Sequence, residues 1–206
     1  MEPSTSVTAI SNSPAPFFLQ ALDARRSVPA RQLAAPGPDA AQLQRMLASA
    51  VRVPDHGKRV PFRFLSITGD ARHALGDAVA ARGLQLRPDA GGAAVDKDRA
   101  RFSHAPLVLV AVAIMDPGDT AIPAQERLLS AGCTCFALLQ AAQGLGFGAS
   151  WLTGWPSHDP EVRALLGLGE DERIVGFIHV GTPQSEARER ERPDPAALLR
   201  EWTPPA

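Results

Sequence analysis

Three short segments of this chain carry side chains whose types and spacing could do chemistry. Arg25-Arg26-Ser27 sets two guanidiniums and a hydroxyl side by side. Such a set can hold a phosphate through charge-assisted, bidentate bonds; the same arginines would also sit well as cations at the C-terminus of a helix. Arg52, Pro54, Asp55 and His56 lie together in Arg52-Val53-Pro54-Asp55-His56-Gly57, which puts a cation, a helix-breaking proline and an imidazole in one loop after a helix. Ligand contacts concentrate in such loops, and Asp55-His56-Gly57 equally reads as a plain turn. Trp151-Leu152-Thr153-Gly154-Trp155 places two indoles around small polar residues, a wall for an aromatic ligand or a packing element.

Other patterns fail on context. Gly144-Leu145-Gly146-Phe147-Gly148-Ala149 fits G-x-G-x-x-[GA], but here the glycines end a helix and open a strand, the reverse of a dinucleotide-binding loop. They read as a helix stop and a site of close packing. Ser157-His158-Asp159 holds triad residue types that cannot take up triad geometry as sequence neighbours; Asp159 reads as a helix cap. No P-loop, H-E-x-x-H or EF-hand pattern occurs, and the 5 histidines are scattered, so no metal site is expected. Cys133 and Cys135 have neither the number nor the spacing of a disulfide framework and read as small core residues.

These segments need a scaffold. The chain has 206 residues, 21 Lys+Arg against 22 Asp+Glu, 45% hydrophobic and 21% charged residues. That composition excludes a wholly disordered chain and implies one globular domain. A net charge of −1 leaves no electrostatic footprint for nucleic acid or an anionic membrane. The N-terminus lacks the basic region of a signal peptide. The longest apolar run, Pro106 to Met115, is about half of what a membrane-spanning helix needs. A cytoplasmic protein is the expectation.

Residues 1–16 read as a flexible Ser/Thr/Pro leader, residues 17–195 as the domain, and 196–206 as an extended tail. A helix is expected from Ser13-Pro14 to Arg25-Arg26, and a second, capped by Asp39, with Leu43, Met46, Leu47, Ala50 and Val51 on one face. Strands are expected at Phe62–Thr68, Leu107–Ala113, Ala149–Leu152 and Arg173–Val180, and further helices at Asp70–Arg82, Ala124–Gly146 and after Asp159. Gly83–Gly92 reads as a loop, and Asp96–Arg101 as an exposed helical segment. The order implies an α+β sandwich, a central mixed sheet flanked by helices.

From Leu128 to Ser157 there is no Asp, Glu, Lys or Arg. A long helix without a charged face must be covered all round, and a chain of this size is covered most simply by a second copy. A homodimer with a long buried central helix is expected.

The ordered set RRSV (25–28), RVPDHGKRVPFRF (52–64), AP (105–106), SAGC (130–133), GFGASWLTG (146–154) and VGFIHVGTP (175–183) resembles the nitroreductase family, in particular its compact bacterial members. The resemblance implies an α+β sandwich forming a homodimer with FMN at the subunit interface. It assigns Arg25, Arg26 and Ser27 to the flavin phosphate and ribityl chain, and the Arg52–His56 loop to the flavin. It also implies flavin contacts at Trp151, Leu152 and Thr153, with Gly154 beside them. It places the nicotinamide nucleotide along Ala141, Ala142, Gln143, Gly144, Leu145 and Gly146, and offers Arg190 and Arg192 as C-terminal phosphate ligands. The implied activity is NAD(P)H-dependent reduction of nitroaromatic, quinone or related small-molecule acceptors by a ping-pong cycle. No side chain is assigned as catalytic, water serving as proton donor. Phe62 stands where the family commonly has Trp, and the chain has no tyrosine, so no phenolic proton donor exists. Two alternatives accompany this: an FMN-sequestering protein without turnover, and a dimeric scaffold whose arginines and tryptophans are purely structural.

Overall fold

The computed structural model describes residues 16–205. The expected leader and the Ser13-Pro14 helix start therefore lie outside the described residues, apart from Pro16.

α1 (Pro16–Asp23) leads through a 3-10 turn to β1 (Leu33–Ala34) and α2 (Ala40–Ala50). α2 begins where the sequence demands: the Asp39 carboxylate accepts from the Gln42 amide, and the Gln42 side chain returns a bond to the Asp39 amide, a complete capping box. β2 (Phe62–Thr68), α3 (Asp70–Leu86), α4 (Gly92–Ala100) and β3 (Leu107–Ile114) follow. Then come α5 (Ala124–Gly144), β4 (Gly148–Leu152), α6 (Pro160–Leu165), β5 (Glu172–Pro183) and α7 (Pro195–Leu198).

β5 organises the sheet. One of its edges pairs with β3 and the other with β4, its C-terminal end also pairs with β1, and β2 lies beyond β3. Every one of these pairings is antiparallel, so the sheet is not the mixed one expected. The long connection Thr68–Leu107 delivers the chain to an antiparallel neighbour, whereas Ile114–Gly148 carries it past the place β5 will fill to that strand's other edge, a detail that hydrophobic patterning cannot reveal.

β3 is buried on both faces, as its unbroken apolar run requires. On one face Leu107, Leu109, Ala111, Ile178 and Val180 pack with Met46 and Ala50 of α2 and Cys135, Leu138 and Ala142 of α5. On the other Val108, Val110, Val112 and Phe177 pack with Leu75 and Val79 of α3, Phe102, and Val162 of α6. The fold is the expected α+β sandwich.

Three local expectations change. α3 runs on to Leu86 and α4 starts at Gly92, so Gly83–Gly92 is only partly loop. Asp98 is buried, 4% exposed, because Arg87, Arg101 and the Trp155 indole all donate to its carboxylate. Its neighbours Asp96, Lys97 and Arg99 are exposed, as expected of the segment, and Asp98 alone turns inward. Residues 196–205 are extended except where α7 forms one short turn. Among the described residues, no helix is long and apolar enough to cross a membrane.

Candidate functional site

The Arg25-Arg26-Ser27 segment follows the end of α1 and is fixed on both sides. The Arg25 amide donates to the Leu22 carbonyl at 3.2 Å, and the buried Val28 donates from its amide to Ala149 of β4 at 3.0 Å. Arg25 Nη1 donates to Ser27 Oγ at 3.3 Å. Arg26 Nη1 folds back onto the carbonyls of Asp23 and Arg25, the latter at 3.0 Å, where a cation is favourable against the helix C-terminus.

Opposite these residues the chain after β5 supplies Arg188, Arg190 and Arg192, and all six line one small pocket of about 40 Å³. Thus the two ends of the domain converge on one cationic cradle. Arg190 and Arg192 were expected; Arg188 was not, although the Arg-Glu-Arg-Glu-Arg alternation at 188–192 was its available signal. Glu189 bridges this cluster, pairing with Arg26 and, at 3.1 Å, with Arg192.

Arg26 also lines a neighbouring cavity of about 430 Å³, together with Val28, Gln143, Phe147, Glu186 and Glu189. Gln143 in turn borders a larger, mainly apolar groove of about 1050 Å³ along α5. Its side chain is held by a 2.8 Å bond from Nε2 to the Ala21 carbonyl of α1. Cradle, cavity and groove are therefore contiguous through shared side chains, running from a cationic end to an apolar one. The two larger spaces have the size of small-ligand sites.

The groove gathers many of the expected residues: Arg52, Pro54, Ala141, Gln143, Gly144, Leu145 and Trp151 all line it. Trp151 stands at the end of β4 with its Nε1 donating to the Val175 carbonyl at 3.2 Å. Its indole lies against Gly176, where a Cβ would come within 2.0 Å of the indole nitrogen. Ala142 faces the core instead, and Gly146 terminates α5 at φ 83°. There the Phe147 amide donates to Ala142 and the Gly146 amide to Gln143, the paired bonds of a Schellman stop. Gly148 permits the close packing expected, since a Cβ there would meet Leu33 at 2.8 Å.

Other expectations separate. Leu152 is half-buried and Thr153 exposed, and Gly154 turns the chain at φ 131° beside the Arg101 guanidinium. The two indoles do not form one wall: Trp155 points to the opposite side of the sheet, donating to Asp98 at 3.1 Å. Burial would raise the Asp98 pKa, but bonds from Arg101, Trp155 and Arg87 outweigh it and hold the carboxyl below its ordinary value. That network anchors the 154–157 turn directly after the Trp151–Thr153 segment.

His56 and Asp55 lie outside the groove, in a shallow cleft with Arg59, Glu126 and Arg127. Asp55 accepts from the amides of Arg59 and Val60 at 3.1 and 2.8 Å, closing its loop, and His56 Nδ1 contacts Glu126 Oε2 at 2.7 Å. Pro54 accepts from Ser130 Oγ at 2.7 Å, which ties the loop to α5. Cys133 is exposed and lines the groove, so only Cys135 is the core residue expected of both.

The exposed flank of α5 carries Leu129 and Phe136, 59% and 44% exposed. Among the described residues, the charge-free part of α5, from Leu128 onward, is covered on one side only.

Comparison with known proteins agrees with this architecture. The nitroreductase family profile matches residues 22–182. "Putative NAD(P)H nitroreductase YdjA" of Escherichia coli strain K12 is 37% identical over 169 residues, covering 82% of this chain and 90% of the relative. A solved nitroreductase-like family protein from Bacillus cereus superimposes with a TM-score of 0.75 at 23% identity, over 95% of this chain and 99% of the other. A solved "putative nitroreductase in complex with FMN" from Desulfovibrio desulfuricans gives a TM-score of 0.71 at 21% identity, over 94% and 100%.

Proposed function

The chain belongs to the nitroreductase family, and from that premise we propose that it is an FMN-dependent oxidoreductase, using NAD(P)H to reduce nitroaromatic, quinone or related acceptors as a homodimer. One observation carries the flavin assignment. Arg25, Arg26 and Ser27 meet Arg188, Arg190 and Arg192 in one pocket, contiguous with a cavity and an apolar groove.

The residues present fit a flavin mononucleotide. The cradle matches a phosphate monoester, which carries about −1.5 to −2 charges at pH 7 and prefers forked guanidinium donors. The cavity beyond Arg26 offers polar partners to a ribityl chain, and the groove offers apolar surface and the Trp151 indole to a planar ring. Bound FMN would supply two-electron transfer between nicotinamide and acceptor. The protein's role is to anchor the phosphate, orient the ring through Trp151 and the 151–154 segment, and present the α5 C-terminus (141–146) to the nicotinamide nucleotide. One groove serving donor and acceptor in turn implies ping-pong order.

The homodimer reading is supported by the exposed apolar flank of α5, where Leu129 and Phe136 border the groove. A partner seated there would cover the flank and close the groove around the ring. His56, in its cleft with Glu126, then faces outward from its own chain's groove, and any flavin contact by it would be made across the interface.

The test is the visible spectrum of the purified protein after incubation with FMN and desalting. A retained flavin spectrum, bleached anaerobically by NADH or NADPH and restored by a quinone or nitroaromatic, is the expected result. Retained flavin without nicotinamide turnover would make this an FMN-sequestering protein. A colourless protein that ignores FMN would leave only a scaffold.

A further inference from the structure

We infer that Glu189 is a resident counter-ion of the arginine cradle, one that a phosphate ester must displace and that therefore sets how tightly the protein holds its flavin nucleotide. The inference rests on the proposed FMN reading and adds to it a residue that opposes binding.

Five arginines, Arg25, Arg26, Arg188, Arg190 and Arg192, line a pocket of about 40 Å³. Guanidiniums stay protonated at any working pH, so five of them in so small a space repel one another. Both carboxylate oxygens of Glu189 are engaged in answering that charge. Oε2 pairs with Arg26; Oε1 pairs with Arg192 at 3.1 Å and accepts from the Arg190 amide at 2.8 Å. These are donors that a phosphate would use.

The position of Glu189 matters as much as its partners. Glu189 and Arg26 both line the 430 Å³ cavity, and Arg26 also lines the cradle. Glu189 thus stands at the passage between the two, where the phosphate end of a nucleotide would arrive. It is also the link that ties the 184–194 segment, which has no regular secondary structure, to the end of α1. One carboxylate offers a single charge over two oxygens, whereas a phosphate monoester brings nearly twice the charge over three. Exchange therefore favours the phosphate, at a penalty equal to the pairs that Glu189 gives up. Glu191, two residues on, provides an internal comparison: it carries the same charge on the same segment, and among the described residues it has no ion-pair partner.

The experiment is a fluorescence titration of apo-protein with FMN and with riboflavin, for the wild type, Glu189→Gln and Glu191→Gln. Removing one charge near a phosphate at the rim of a protein is worth about a three- to tenfold change in Kd. The expected result is FMN binding about three- to tenfold tighter in E189Q, shrinking at 0.5 M salt, with riboflavin affinity unmoved and E191Q within about twofold of wild type. Equal tightening in E189Q and E191Q would reduce the effect to net charge and overturn the inference. So would unchanged or weaker FMN binding in E189Q, which would make Glu189 a positioning residue or a bystander. Failure of the underlying FMN reading shows separately, in the wild type: a protein that binds FMN no better than riboflavin has no phosphate cradle for Glu189 to guard.

Discussion

Arg25 and Arg26 are adjacent in sequence but differently committed, so replacing them singly and together should separate binding from folding. Among the described residues the side-chain partner of Arg25 is Ser27 Oγ at 3.3 Å, a long bond that leaves most of its donors free. Arg26 already serves two carbonyls at the end of α1 and Glu189. A hydrogen bond to a charged group is worth about 1.5–3 kcal/mol, so Arg25→Ala should weaken FMN binding by about ten- to a hundredfold while leaving the melting temperature unchanged. Arg26→Ala should weaken FMN binding less, because its guanidinium is already engaged by those carbonyls and Glu189 and has less to offer a phosphate. It should also destabilise the α1 terminus by about 0.5–1 kcal/mol through the lost carbonyl contacts. The double variant should lose about 3–5 kcal/mol of binding, somewhat under the sum of two full contacts since both side chains serve one ligand. That corresponds to roughly a hundred- to several-thousandfold in Kd. Flavin retained after desalting, flavin fluorescence titration, and thermal unfolding followed by circular dichroism are the assays. Undiminished flavin in a folded double variant would refute the cradle assignment.

Three further outcomes follow from the geometry. His179 is fully buried on β5 between Ser150 of β4 and Val108 of β3, stacked on Phe102, and burial, with Arg101 and His104 adding to it, pushes its pKa down from 6.5 to about 4. The unfolded chain binds the extra proton between those values, so stability should fall as pH drops from about 6.5 towards 4, by on the order of 3 kcal/mol, and His179→Val should flatten that slope in urea titrations. Gly176→Ala places a methyl 2.0 Å from the Trp151 indole nitrogen, so it should expel the indole, break its bond to Val175 and weaken flavin binding about tenfold, read from tryptophan emission and FMN titration. Phe136→Glu adds a charge to a side chain already 44% exposed in the single chain, so it should leave the monomer folded and shift sedimentation towards monomer.

What the sequence made legible depended on how local the cause was. β2 matches its expected bounds and α2 starts at its expected cap, because alternation and an Asp39–Gln42 box act within a few residues. α5 and its Gly146 stop were legible for the same reason. Pairing direction was not, since nothing in a strand's own residues says which way its neighbour runs. Asp98 looked like a surface charge because its three donors come from Arg87, Arg101 and Trp155, all beyond the bounds of its own helix. Trp151 and Trp155, four residues apart, read equally as one wall or as packing, and the Gly154 turn and the bond to Asp98 send them to opposite sides of the sheet. Half of the cradle was visible as Arg25-Arg26-Ser27; the other half lies some 160 residues downstream on a segment without periodicity. Of its three arginines, only the two suggested by family resemblance were anticipated.

The proposed site has two regions, a cradle that a single chain completes and a groove that it leaves open, and that division has a thermodynamic consequence. The cradle is built within one chain, from the end of α1 and the segment after β5. The groove is not complete in the same sense: it runs along the flank of α5, beside Leu129 and Phe136, which a single chain leaves in water. A flavin ring lying in that groove would gain further apolar contact from a partner subunit seated on that flank, and the partner would gain the same contact from the ring. Each would then strengthen the other by the same free energy, as reciprocity of coupled equilibria requires. Phosphate recognition, by contrast, should be indifferent to oligomeric state. A monomeric Phe136→Glu variant should therefore keep the preference for FMN over riboflavin while its affinity for both falls together. On that reading, the absence of charge from Leu128 to Ser157 would be the sequence trace of a surface that serves subunit and cofactor at once.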